Sequence, residues 1–228
     1  MVKIFFIKAD TPLTDSEKEN ILFHYPKELS DYVKRASDPV RRALAYGALL
    51  EALETDGSGF SLKDGGKPYI KEALPFSLSY SDGIICIAVS EGGAIGVDIE
   101  AYQSEKEQTY KRLSRRFNAA EKIPFTRMNF GNSGELYTVD SLSKKEICIS
   151  FYEIKFSGGE FIKKPLIPTI SKNHQLDFWV KTEAVLKMEG GGFSSYRNIE
   201  KAARGATLIC DALDLWGRAL ALGISLKD

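Results

Sequence analysis

Val2 to Lys8 (VKIFFIK) alternates weakly between apolar and polar positions, which predicts a strand. Thr11 to Asp15 then supplies turn and cap residues before a helix from about Ser16. Leu29 to Leu53 carries a strong helical period broken at Asp38-Pro39, where proline can occupy the first turn of a new helix. Val40, Leu44 and Gly47 of that second helix face the core. Glycine inside a helix costs about 1 kcal/mol against alanine, so close packing would explain Gly47. Phe60 to Leu62 predicts a short strand, and DGGKPYI, Asp64 to Ile70, a turn with an extended exit. FSLSYS, Phe76 to Ser81, alternates with serine at every second position, the pattern of a strand with serines on one side. Ile84 to Ser90 and Ile95 to Glu100, joined by EGGA, predict a hairpin. Residues 102–122 carry a helical segment ending near RRFNAAEK, where Asn118 can cap a fresh turn, and the period of two in 123–173 predicts two or three strands. Helix resumes from about Leu176 to Met188 and stops at Gly190 to Gly192. Thr207 to Leu213 and Arg218 to Leu226 predict a closing hairpin.

Helices and strands thus occur twice in a similar order, with no floppy linker between them. The expected fold is α+β with two pseudo-duplicated lobes, each a small antiparallel sheet packed with a long helix. The N-terminal lobe covers residues 1–100 and the C-terminal lobe 101–228, with extra strands in about 124–172. The chain of 228 residues, 43% apolar and 11% aromatic, is long enough to bury a real core. Lys plus Arg (31) cancels Asp plus Glu (31), so no overall field points to nucleic acid or an anionic membrane. Any anion site must be local. No apolar run approaches ~18 residues, and MVKIFFIKADTPL is too quickly charged for a signal peptide, so a cytoplasmic protein is expected. Cys86, Cys148 and Cys210 lie far apart in apolar runs and read as free thiols. With only two histidines, His24 and His174, a metal here would take oxygen ligands, which suits magnesium, manganese or calcium.

The candidate chemistry lies in GVDIE, Gly96 to Glu100, and FWVKTEAVLK, Phe178 to Lys187. Asp98 and Glu100 leave one face of a strand, and Glu183 and Lys187 share one side of a helix. Three carboxylates and a lysine converging would hold a hard divalent cation and a phosphate. Apart from one another, they read as a solvated strand rim and an ordinary helix ion pair. The apolar flanks of Glu183 and Lys187 (Trp179, Val180, Ala184, Leu186, Met188) argue that the pair needs partners. Lys67, in a Gly-Gly-Lys-Pro turn, can act as a point charge on a phosphate, and Ser79 and Ser81 offer hydroxyls.

In this order the pieces resemble the 4'-phosphopantetheinyl transferases of the monomeric, surfactin-synthetase-activating type. The family's motifs stand here as Gly66-Lys67-Pro68, Phe76 to Ser81, Gly96 to Glu100, Arg116 to Glu121, and Trp179 to Lys187 with glycines after it. The resemblance implies an enzyme that uses magnesium to move the 4'-phosphopantetheine arm of coenzyme A onto a serine of an apo acyl or peptidyl carrier protein. It implies Asp98, Glu100 and Glu183 as metal ligands, and Glu183 and Lys187 as catalytic groups. Lys67, Pro68, Ser79, Tyr80 and Lys187 would contact the coenzyme, and Lys34, Arg41 and Arg42 its 3'-phosphate. Manganese can stand in for magnesium. Three departures accompany the match. Tyr80 stands where the family has histidine, Thr182 replaces the lysine before the helix glutamate, and the span from Glu121 to Trp179 is long. The alternative they motivate is a catalytically impaired homologue that binds coenzyme A or a carrier protein.

Overall fold

A computed structural model describes residues 1–23, 25–63, 66–116, 123–130, 136–139, 146–171, 175–190 and 199–227. It is a mixed α+β protein with three sheets and six α-helices among the described residues. Strand β1 (Val2–Lys8) is followed by α1 (Asp15–Phe23), α2 (Lys27–Lys34) and α3 (Pro39–Leu53). Thr14 and Glu17 form a reciprocal cap on α1: the Glu17 N–H donates to Thr14 Oγ1 at 3.2 Å and the Thr14 N–H to Glu17 at 2.9 Å. Asp38 caps α3, its carboxylate accepting the Arg41 N–H, with Pro39 at the first position. The short pair β2 (Phe60–Leu62) and β3 (Pro68–Ile70) precedes β4 (Phe76–Ser81), β5 (Ile84–Ser90) and β6 (Ala94–Ala101). After α4 (Glu107–Arg116) come β7 (Asn129–Phe130), β8 (Leu136–Val139), β9 (Glu146–Ser157), β10 (Glu160–Pro165) and β11 (Thr169–Ile170). The chain ends with α5 (Asp177–Glu189), α6 (Ile199–Ala202), β12 (Thr207–Leu215) and β13 (Arg218–Lys227). The β12–β13 turn uses Trp216 and Gly217, both at positive φ, as a two-residue hairpin requires.

The large sheet runs β4-β5-β1-β9-β8-β7, with β10 on β9; the second runs β11-β12-β13-β6. Alternate residues of β1 and β5 face opposite ways. Ile4, Phe6, Ile84 and Cys86 pack against Val97, Ile99, Leu222 and Ile224 of the second sheet. Phe5, Ile7, Ile85 and Ile87 pack under Leu29, Val33, Leu44 and Leu49 of α2 and α3. Burial on both faces explains why β1 reads as an almost continuous apolar run rather than a clean alternation. On α3, Gly47 sits in close packing: a Cβ there would run into the Phe161 ring and lie 2.8 Å from the Tyr25 hydroxyl, so those side-chain ends would have to shift to admit one.

Two expectations are corrected. Ile84 to Ser90 and Ile95 to Glu100 do not form a hairpin. Both edges of β5 are taken by β1 and β4, so the chain crosses into the other sheet, where β6 pairs with β13. The sheets are also not wholly antiparallel, because β9 runs parallel to β1 (Val2 opposite Ile149, Ile7 opposite Ile154). The strands of 146–165 therefore extend the N-terminal sheet, while β6 joins the C-terminal one.

The two sheets meet along the edges of β4 and β6 without a shared backbone ladder. Ser77, Ser79 and Ser81 of β4 instead accept the Val97, Ile99 and Ala101 N–H groups at 3.1, 3.3 and 3.0 Å. These hydroxyls satisfy the amides on the edge of β6 not paired with β13, which would otherwise be buried without partners. No described helix is long and apolar enough to cross a membrane.

Candidate functional site

Because Ile95, Val97, Ile99 and Ala101 face the intersheet core, Gly96, Asp98 and Glu100 lie on the opposite face of β6, under α5. The approach of α5 is close enough to require glycine. A Cβ at Gly96 would collide with the Ala184 carbonyl, and one at Gly223 on β13 with the Val180 carbonyl. Gly223 is directly opposite Asp98. Two glycines thus let the helix backbone rest on the sheet and bring Glu183 and Lys187 beside the carboxylates of β6. The helix ends at Gly190, in the left-handed region at φ 77°.

Asp98 is the buried centre, 5% exposed. Its Oδ1 accepts hydrogen bonds from Ser79 Oγ and Lys187 Nζ, both at 2.7 Å, and Lys187 also reaches Ser79 Oγ at 2.9 Å. The other oxygen, Oδ2, is buried with no hydrogen-bond partner. Such a group is costly to leave unsatisfied. Glu100 accepts from Ser81 Oγ at 3.3 Å. All three carboxylates are held above the ordinary range. Burial, only partly offset by Lys187, raises Asp98. Burial and then the Asp98 charge raise Glu100. Burial, then Asp98, with Glu100 adding to it, pushes Glu183 up to about 7. The Asp98 charge thus acts on both Glu100 and Glu183, and the Glu100 charge on Glu183.

No three His, Cys, Asp or Glu side chains among the described residues form a ready-made metal cage. A complete cage is not what magnesium needs: it keeps several waters and takes one or two carboxylates plus substrate phosphates. An all-oxygen donor set with a buried, unsatisfied carboxylate oxygen fits that ion.

Two recesses of about 310 Å³ flank Lys187. One is lined by Lys67, Pro68, Tyr32, Tyr46 and Leu186. The other is lined by Arg41, Arg42, Ser79 and Tyr80. The recesses therefore gather Lys67, Pro68, Ser79, Tyr80, Arg41 and Arg42 around Lys187, which pairs with Asp98. Some of them are already engaged. Lys67 Nζ donates to the carbonyls of Met188 (3.0 Å) and Ile95 (3.4 Å), closing the end of α5, and burial, then Lys63, lowers its pKa to about 8. The Ser79 hydroxyl has one proton, and it goes to Asp98. Lys34, exposed at the end of α2, lines neither recess. Thr182 is fully buried, with Oγ1 donating to the Phe178 carbonyl at 2.7 Å. Lys181 donates to the Ile123 carbonyl at 3.1 Å and lies over the Phe125 ring. The Arg116 side chain and residues 117–122, with Asn118 and Glu121, lie outside what the structure describes.

Sequence reasoning missed Tyr32 and Tyr46 as lining residues, and it missed that the β4 serines turn inward. Their period of two placed them on one face but not on which. A charged group further from the site was also missed: Arg127 pairs with Asp177 and lies 3.8 Å from Asp211, whose Oδ2 accepts the Met128 N–H at 3.0 Å. No protein-family model matches this sequence, and comparison with curated proteins finds no match either.

Proposed function

We propose that the protein is a two-lobed, cytoplasmic, monomeric 4'-phosphopantetheinyl transferase, one sheet to each lobe. It would move the phosphopantetheine arm of coenzyme A to a serine of an apo acyl or peptidyl carrier protein. One observation carries the reading: the two glycine contacts bring Glu183 and Lys187 onto Asp98 and Glu100, where a buried Asp98 oxygen lacks a partner. The order of the motifs along the chain supports it.

Asp98, Glu100 and Glu183 are the oxygen donors that would hold magnesium. When bound, that ion supplies positive charge to the pyrophosphate as its phosphorus–oxygen bond breaks. Lys187 lies between the carboxylates and both recesses, placed to turn its ammonium from Asp98 to a phosphate oxygen. Glu183, whose proton affinity burial and then the Asp98 charge raise, is suited to accept the proton of the carrier serine. The serine oxygen bonds to the phosphorus that carries pantetheine, and adenosine 3',5'-bisphosphate leaves with the electron pair of the broken bond. Catalysis of this kind is mostly positioning and charge stabilisation.

The test is incubation with coenzyme A, magnesium and a panel of apo carrier proteins. The expected result is a mass gain of roughly 340 Da on a carrier, the transferred group of a phosphoryl-transfer reaction. Glu183→Gln and Asp98→Asn should abolish it. The second reading, a binding homologue without turnover, is favoured by Thr182, which is buried and leaves that helix position without a lysine. Tight coenzyme A binding with no gain on any carrier would select it.

A further inference from the structure

A tyrosine at position 80 offers the site one hydroxyl and no cation. That hydroxyl is already engaged, accepting the Gly83 N–H at 3.3 Å. The ring has a different neighbour: the Arg41 guanidinium carbon sits 4.2 Å from its centroid, at the recess that Ser79 and Lys187 also line. The Asp38 carboxylate lies 3.8 Å from Arg41, Oδ2 to Nε, beyond hydrogen-bond length. Arg42 repeats the arrangement. Its guanidinium carbon lies 4.7 Å from the Tyr32 centroid, and an N–H donates to the Tyr32 carbonyl at 3.3 Å. Two successive arginines of α3 are thus each held on a tyrosine from another element, around one recess.

We infer that Tyr80 is a positioning residue for an anion: its ring holds the Arg41 guanidinium over the recess, where it meets a phosphate or diphosphate group of the substrate. A free arginine side chain spreads over many rotamers and must be ordered when an anion binds, which lowers affinity. Stacking on an aromatic face removes part of that cost in advance. The identity of the substrate rests on the transferase reading. The positioning role does not.

The experiment is calorimetric binding of inorganic pyrophosphate, and separately of coenzyme A, in buffer with chelator. It compares the protein with Tyr80→Leu, Tyr80→Phe, Arg41→Met and the Tyr80→Leu/Arg41→Met double variant. Arg41→Met should weaken pyrophosphate about 10-fold, as expected for loss of a hydrogen bond to a charged group. Tyr80→Leu should weaken it about 3-fold, the scale of an exposed cation–π contact. Tyr80→Phe, which keeps the ring, should bind as the parent does, and the double variant should be no weaker than Arg41→Met alone. The inference is overturned if Tyr80→Leu binds normally, if its effect persists in the Arg41→Met background, or if Tyr80→Phe is as weak as Tyr80→Leu. Pyrophosphate binding in the expected pattern without coenzyme A binding would support the positioning role and sink the transferase reading. Coenzyme A binding with additive effects would do the reverse, and binding of neither probe would overturn both.

Discussion

Glu183→Gln should make the protein more stable at pH 8, because the native carboxylate is held there against its preference. Burial, then the Asp98 charge, raises the folded-state value from 4.5 to about 7. Between these values the folded protein binds more protons at Glu183 than the unfolded chain does, so stability falls as pH rises from about 4.5 to 7. The penalty is absent below that window and fully present above it. The rise from 4.5 to about 7 corresponds to ~3.4 kcal/mol at about 1.36 kcal/mol per pH unit. Glu183 is partly exposed, and solvent screening reduces this to about 1–2 kcal/mol. For a chain of this length that is a rise of roughly 3–6 °C in Tm. Urea denaturation from pH 4.5 to 8 gives the curve directly. The variant should gain over the parent mainly above pH 6 and show a shallower slope. Some slope remains, since Asp98 and Glu100 are raised in the same sense. Added magnesium should stabilise the parent and not the variant. A variant that is less stable than the parent at pH 8, or has an unchanged pH slope, would refute the electrostatic argument.

Further outcomes follow from the same contacts. Gly96→Ala places a methyl against the Ala184 carbonyl, which cannot yield as a side chain end can; it should cost about 1–3 kcal/mol by denaturation and abolish transfer. Ser79→Ala strands the Ile99 N–H and removes one acceptor of Lys187, with an expected cost of about 1–3 kcal/mol, whereas Ser79→Thr should recover part of it. Lys67, lowered to about 8 mainly by burial, regains its proton beside a phosphate. Coenzyme A affinity should therefore fall as pH rises through 8. Calorimetry at pH 8 in two buffers of different ionisation enthalpy should show net proton uptake on binding.

Most element boundaries were legible from residue patterns because local signals set them. Asp38-Pro39 opens α3 with cap and ring, and Gly190 ends α5 at positive φ. Strand partners were not legible. A short EGG connection between Ser90 and Ala94 predicts a hairpin only if the edge of β5 is free, and it is not: β1, far away at the start of the chain, holds it. Nothing local marks β9 as the parallel neighbour of β1. At the candidate site, spacing placed Asp98 and Glu100 on one face of a strand and Glu183 and Lys187 on one side of a helix, while the expectation that the two pairs meet came from the apolar flanks of the helix pair and from the resemblance. Gly96 and Gly223 were not legible, because a close approach belongs to two segments at once. The inward turn of Ser77, Ser79 and Ser81 was hidden for the same reason.

A joint of side-chain hydroxyls differs from a backbone ladder in what can alter it. No substitution removes an amide or a carbonyl from an ordinary strand pair, proline aside. The β4–β6 seam can instead be undone one position at a time, and two of its three hydroxyls end on Asp98 and Glu100. Whatever occupies those carboxylates therefore pulls on the fasteners between the sheets, so amide exchange at Ile99 and Ala101 becomes a gauge of site occupancy read from the protein's own backbone.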